Sequence, residues 1–160
     1  MESKLITLTP EKWGLLEELG SANALDLDKV KSMVQEIADK RMKFAEQYLN
    51  IAKMLLDNDL HYQSVISRAY YGMYHAARAA VYVQMRLDVL THKDLIKKFR
   101  KVLINVYGDD TLGDWMNDWR TNRNRCDYNP FEEPTKEICN QAIRDCETII
   151  ETCKNLIVVI

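Results

Sequence analysis

Residues 58–86 read NDLHYQSVISRAYYGMYHAARAAVYVQMR. At helical spacing Ile66, Ala69, Tyr70, Met73, Ala76, Ala77 and Ala80 recur at i, i+3, i+4 and i+7, one apolar stripe. A second line, His61, Ser64, Arg68, Tyr71, His75 and Tyr82, falls within an arc of roughly 80° beside it. Small residues are dense here: Ala69, Gly72, Ala76, Ala77, Ala79 and Ala80. They let neighbouring helices approach closely, so this segment is expected to be the central helix of a bundle. Tyr70, Tyr71, Tyr74 and Tyr82 read as core aromatics whose hydroxyls reach partners at the core edge. Arg68, beside the apolar stripe, calls for a counter-charge, because a charge is seldom buried unpaired.

Working outward, Asp26 or Asp28 caps an expected helix over about 28–57. Its apolar positions are Val30, Val34, Ile37, Phe44, Ala45, Tyr48, Ile51, Ala52 and Leu55. The stripe breaks at Asp39-Lys40-Arg41, which predicts a turn that protrudes or bends. The short DNDL connection implies antiparallel neighbours. Downstream, Thr91-His92-Lys93-Asp94 has capping-box spacing and opens a helix to about Val106, with Leu95, Ile96, Phe99, Val102 and Leu103 inward. In that setting His92 reads as a surface residue at a helix start. Tyr107-Gly108-Asp109-Asp110 is a turn.

The next helix, about 111–127, reads TLGDWMNDWRTNRNRCDY with its flank. Leu112, Trp115, Met116, Trp119 and Cys126 share a face; Arg123 lies inside that arc and Arg120 and Asp127 flank it. Arg123 and Asp127 are also an i, i+4 pair. Asn129-Pro130 ends this helix. The last helix spans about 134–157, with Cys139, Cys146 and Cys153 alternating with Ala142, Ile149 and Leu156 as an a/d heptad. Before all of these, residues 1–9 are expected to be irregular. Thr9-Pro10-Glu11 opens a short helix that turns Trp13, Leu16 and Leu19 inward and ends at Gly20. The sum is an all-α chain: an antiparallel up-down bundle of four to five main helices over 41–160, with an N-terminal helical extension over 1–40.

The composition agrees. A chain of 160 residues, 47% apolar and 29% charged, is an ordinary globular length and mixture. Five glycines and three prolines are too few for the many tight turns of a β protein. A net charge of −2 removes any whole-chain electrostatic case for nucleic-acid binding, so such a role needs a local basic cluster. No apolar run reaches membrane-spanning length and MESKLITLTPEKW lacks the apolar core of a signal peptide, which predicts a cytoplasmic protein without a membrane partner. Sevenfold spacing holds consecutive cysteine sulfurs on one helix about 10 Å apart, too far for a disulfide or a shared metal. No metal or cofactor is expected.

Three separated pieces occur in order: SRAYYGMYHAARA at 67–79, Thr91-His92 opening a helix with Phe99, and Arg123-Asn-Arg-Cys-Asp127-Tyr128 closing a helix. Together with the preceding Ala45, Leu49, Ala52 and Leu56, they resemble the HEPN family over about residues 42–157. The resemblance implies a homodimer whose cleft binds nucleotide or RNA, paired with a nucleotidyltransferase in a toxin–antitoxin-like system. Many relatives are metal-independent endoribonucleases whose motif is an arginine followed four to six residues later by histidine. Here no histidine follows Arg120, Arg123 or Arg125; Asp127-Tyr128 stands in its place. The carry-over reaches Arg68, Tyr71, His75, Arg123, Asp127 and Tyr128 but no catalytic histidine.

RNA cleavage through the 2′-hydroxyl needs a proton acceptor titrating near neutrality and a cation for the phosphate. The arginine fork is present; the acceptor would have to be His75 or Tyr128 working with Arg123. The nucleotide-binding candidates are Arg120, Arg123, Arg125, Arg68 and Tyr71, a basic group beside aromatics that stack on bases. A purely structural alternative joins Arg68, Arg123 and Asp127 in a buried ion network covered by Tyr128. In that case the chain is an interaction bundle, with its partner surface on the N-terminal extension.

Overall fold

Four of the chain's helices start where a side chain satisfies an orphan backbone N–H group. Thr9 Oγ1 accepts from Lys12 N at 3.3 Å, Asp26 Oδ1 from Lys29 N at 3.0 Å, Thr91 Oγ1 from Asp94 N at 3.2 Å and Thr135 Oγ1 from Ile138 N at 3.4 Å. The resulting elements, in a computed structural model that describes Leu5 and residues 7–158, are α1 (Pro10–Ser21), α2 (Leu27–Asp57), α3 (Tyr62–Met85), α4 (His92–Tyr107), α5 (Thr111–Tyr128) and α6 (Lys136–Ile157). No strand occurs among the described residues. The chain is all-α, and the expected helices appear within a few residues of their expected ends. Of the stretch expected to be irregular, residues 7–9 are non-helical, and residues 1–4 and 6 lie outside the described residues.

Helix α3 is the centre: it packs on α2, α4, α5 and α6. Every member of its apolar stripe, from Ile66 to Ala80, is at most 1% exposed. Gly72 lies where three helices meet. A Cβ there would come within 2.7 Å of Cys146 Sγ on α6 and 3.2 Å of the Ala45 carbonyl on α2. The α6 heptad seam faces this junction, and Cys139, Cys146 and Cys153 are wholly buried thiols.

One reading needs correction. Asp39-Lys40-Arg41 is no protruding break; α2 runs through it, and Arg41 is 8% exposed. Its Nη2 lies 3.0 Å from Asp88 Oδ1, and its guanidinium stands 4.5 Å from the Tyr82 ring centroid. Arg78 holds the same carboxylate bidentately, Nε at 2.9 Å and Nη2 at 2.8 Å. A buried cation that reaches a counter-ion, here one shared with Arg78, is apolar-like in position but polar in sequence, so the periodicity breaks where the packing does not. Asp88 belongs to the α3–α4 connection, and its N–H donates to the Leu8 carbonyl at 3.0 Å. Tyr82 donates to the Leu5 carbonyl at 2.7 Å. Leu5, Leu8, Trp13, Val30 and Val34 thus share one hydrophobic cluster with the bundle, and the division expected between residues 40 and 41 falls inside α2. No helix among the described residues is long and apolar enough to cross a membrane.

Candidate functional site

The face of α5 that carries Arg120, Arg123 and Asp127 lies against α3, because Met116 and Trp119 on the same helix are buried in the core. Trp119 is further fixed by donating its Nε1–H to Asp145 of α6 at 2.8 Å. Arg123 is pulled three ways. Its Nε sits 2.7 Å from Asp127 Oδ2, its Nη2 donates to Tyr71 Oη at 2.5 Å, and its Nη1 donates to Asn124 Oδ1 at 2.9 Å. The Asp127 contact is one of charge and not an aligned hydrogen bond, since Arg123 Nε has no acceptor in line. The guanidinium also stands 5.1 Å from the Tyr71 ring centroid, a cation–π arrangement worth about 1 kcal/mol. Asp127 in turn accepts from the Ser67 hydroxyl of α3. The i, i+4 pair read from the sequence is therefore present and tied to the central helix.

Arg120, one turn earlier on α5, is different. It is half-buried, no carboxylate among the described residues lies within ion-pair distance of it, and its Nε is buried without a hydrogen-bond partner. A guanidinium is always charged, and its partial burial without compensation is costly.

The histidine near these arginines comes from a third helix. His92, the first residue of α4, packs among three rings of α3: Tyr74 at 4.5 Å, Tyr70 at 5.6 Å and Tyr71 at 6.2 Å between centroids. Burial lowers its pKa, and the charges of Arg123 and Arg120 lower it further. His92 is thus neutral near pH 7. Its Nδ1 is 2.7 Å from Tyr70 Oη. Burial pushes the Tyr70 phenol well above its ordinary pKa, and the hydroxyl has no other partner among the described residues. The O–H therefore donates to Nδ1, and the neutral ring carries its own proton on Nε2. That nitrogen has no hydrogen-bond partner among the described residues and is not sealed from solvent. The site thus presents an uncharged N–H donor beside two guanidinium groups and the Tyr71 hydroxyl.

Other expected members lie elsewhere. Arg68 is exposed, with its guanidinium 5.8 Å from the Tyr48 ring centroid and no carboxylate within ion-pair distance among the described residues. It is no part of the ion pair, because its position on the helix turns it toward α2 and solvent. His75 does not reach Arg123: it stacks on Tyr48 at 5.4 Å with rings 5° from parallel, and lies against Phe44 and Tyr74. Burial first, then Arg78, Arg41 and His92, push its pKa down to about 4. Tyr128 is 78% exposed and covers nothing, and Arg125 faces Glu132 at 3.5 Å on the outer side. The sequence alone sets His92 on the surface at a helix start, whereas the structure half-buries it. Its setting depends on Tyr70, 22 residues earlier, and the usable signal was the run of tyrosines at 70, 71 and 74.

Among the described residues no group of three His, Cys, Asp or Glu side chains is arranged to hold a metal ion. A cleft of about 540 Å³ lies apart from the arginines, lined by Asp59, His61, Tyr62, Gln63, Glu133, Pro134 and Thr135. Two carboxylates and no lysine or arginine on its wall make it a poor place for a phosphate.

The geometry can be set against known proteins. The chain is 28% identical to "Putative toxin MJ0605" of Methanocaldococcus jannaschii over 122 residues, 76% of this chain and 89% of that protein. It is 38% identical to "UPF0332 protein PH1297" of Pyrococcus horikoshii over 72 residues, 45% of this chain and 49% of that protein. A family model described as the HEPN domain matches residues 38–156, a span that takes in the second half of α2 and every helix that builds the arginine cluster, so the chain belongs to the HEPN domain family.

Proposed function

We propose that this chain is a nucleotide- or RNA-binding HEPN module of a toxin–antitoxin-like pair, acting as a homodimer alongside a nucleotidyltransferase partner and without full ribonuclease activity. The observation that carries the binding reading is Arg120, a half-buried guanidinium with no counter-ion, next to Arg123 on the Tyr71 ring. A phosphate oxygen is the ligand such a fork accepts best. Similarity to a protein named as a toxin supports the wider setting. The homodimer and the partner rest on the family resemblance.

A second reading, an active endoribonuclease, gains support from His92 lying among the same side chains although no histidine follows on α5. The proton arrangement disfavours it: with Tyr70 donating to Nδ1, Nε2 already holds a proton and is a hydrogen-bond donor, not the base that chemistry needs.

The test is titration of the protein with a short 5′-hydroxyl oligouridine, following the thermal midpoint and fluorescence anisotropy, on wild type and Arg123→Ala in parallel. Binding stabilises the folded state. Loss of one charged hydrogen-bond donor should weaken affinity about 10- to 100-fold. An oligouridine that leaves the wild-type midpoint unmoved at millimolar concentration, or binds Arg123→Ala equally well, removes the proposal. RNA cut by pure wild type but not by Arg123→Ala would establish the second reading instead.

A further inference from the structure

Leu5, Leu8 and Trp13 stand before the residues shared with the HEPN domain, and all three are buried. What they meet is the end of α3 and the connection over 86–91 that leads to α4. The Leu5 carbonyl accepts from the Tyr82 hydroxyl at 2.7 Å, and the Leu8 carbonyl accepts from the Asp88 N–H at 3.0 Å. The Arg86 guanidinium lies 4.4 Å from the Trp13 ring centroid. Trp13 is itself tied down, donating its Nε1–H to Glu17 at 2.7 Å.

Arg86 is the strained point of the connection. Its φ of 50° puts it in the left-handed region, where the Cβ of an arginine crowds the following carbonyl oxygen. A residue keeps such a conformation only when its surroundings over-determine it. Here the Trp13 ring under the guanidinium and the Val83 carbonyl that accepts from it supply the hold. Two residues on, Asp88 is gripped from two sides. Its N–H meets the Leu8 carbonyl, and its carboxylate takes Arg41 of α2 and Arg78 of α3. Tyr74 then donates to the Leu90 carbonyl at 3.1 Å, and His92 enters its cage of Tyr70, Tyr71 and Tyr74 directly after.

From this juxtaposition we infer that Leu8 and Trp13 form a latch on the α3–α4 connection: closed, it sets the His92 imidazole among its tyrosines, and opened, it lets Arg86 relax and frees the start of α4 together with that imidazole. A stretch that precedes the family's bundle thereby becomes a conformational control on the candidate site. The inference concerns how His92 is placed and holds whatever the site binds, so it stands or falls apart from the binding reading above.

The experiment follows amide hydrogen exchange and the histidine ring signals by NMR on the full chain. In unaltered protein the Asp88 amide, bonded to the Leu8 carbonyl, and the Leu95 amide, bonded to the Thr91 carbonyl in the first turn of α4, should open as one cooperative unit. Both should be less protected than the Cys146 amide in the middle of α6. Trp13→Ala should speed exchange at Asp88 and Leu95 by about tenfold more than at Cys146. Gly72→Ala, which disturbs the core where α3 meets α6, should do the reverse, loosening Cys146 and leaving the other two as they were. The groups that face the His92 ring are Tyr70, Tyr71 and Tyr74 of α3 and Arg120 and Arg123 of α5, and none of them lies on the latch. With the cage loosened in Trp13→Ala, His92 should titrate higher, toward an ordinary imidazole, while His75, stacked on Tyr48 of α2, moves less. A Leu95 amide that stays protected while Asp88 exchanges in unaltered protein overturns the inference, and that measurement needs no variant to fold. A Trp13→Ala protein in which Leu95 and His92 match wild type overturns it too, as does one in which Cys146 loosens as much as Leu95.

Discussion

His92 owes its role to neighbours that hold it as a donor. Three tyrosine rings fix the plane of the imidazole and the Tyr70 hydroxyl fixes its tautomer. His92→Phe keeps the ring in its cage and deletes the Nε2 proton. It should weaken oligouridine binding about tenfold, the worth of one hydrogen bond to a charged group. His92→Gln, which keeps a neutral N–H at similar reach, should lose less than half of that on a free-energy scale; fluorescence anisotropy on the two variants measures the difference. Equal losses would mean that the ring, not its proton, matters. At this scale the sequence was half legible. Spacing alone gave the Arg123–Asp127 pair, because i, i+4 geometry is local. It also set Arg68 on the same line as Tyr71, but a helical line does not say which neighbouring helix covers each end of it. Arg68 therefore joins Tyr48 of α2, while Tyr71 joins Arg123 of α5.

Among the elements, a close approach falls at Gly72, where α3 meets α6 and the Ala45 carbonyl of α2. Gly72→Ala should cost about 2 kcal/mol, the usual penalty for an extra methyl in a filled core, read as a lowered urea midpoint. Pairing it with Cys146→Ala, which removes the sulfur 2.7 Å from the new Cβ, should recover part of that loss. A double variant no more stable than Gly72→Ala would place the strain at the Ala45 carbonyl instead. The starts of α1, α2 and α4 were legible, since Thr9, Asp26 and Thr91 act within three residues of themselves. The break at Asp39-Lys40-Arg41 was misread because Asp88, the counter-ion that lets Arg41 turn inward, lies far along the chain in the α3–α4 connection. That connection is held by Arg41 and Arg78 through Asp88 and by Tyr74 through the Leu90 carbonyl at 3.1 Å. The ion cluster therefore also sets where α4, and with it His92, begins.

For the molecule as a whole, the histidines set an acid limit. His75 titrates at about 4 in the folded protein against 6.5 for an exposed imidazole, and His92 is shifted the same way. Between those values the unfolded chain binds more protons than the folded one, so stability rises with pH across that window. The stabilisation is complete above about pH 6.5 and is lost as the pH falls toward about 4, up to about 3 kcal/mol for His75. Urea midpoints taken across that range should fall steadily, and His75→Phe should flatten the curve; a flat wild-type curve would contradict the burial of both rings. The α6 seam has a further consequence. Cys139, Cys146 and Cys153 have no exposure, and burial raises the pKa of each. A water-borne alkylating reagent meets those sulfurs only after α6 has parted from α3, so the pace at which they are modified under native conditions is a direct clock for how often the bundle comes open.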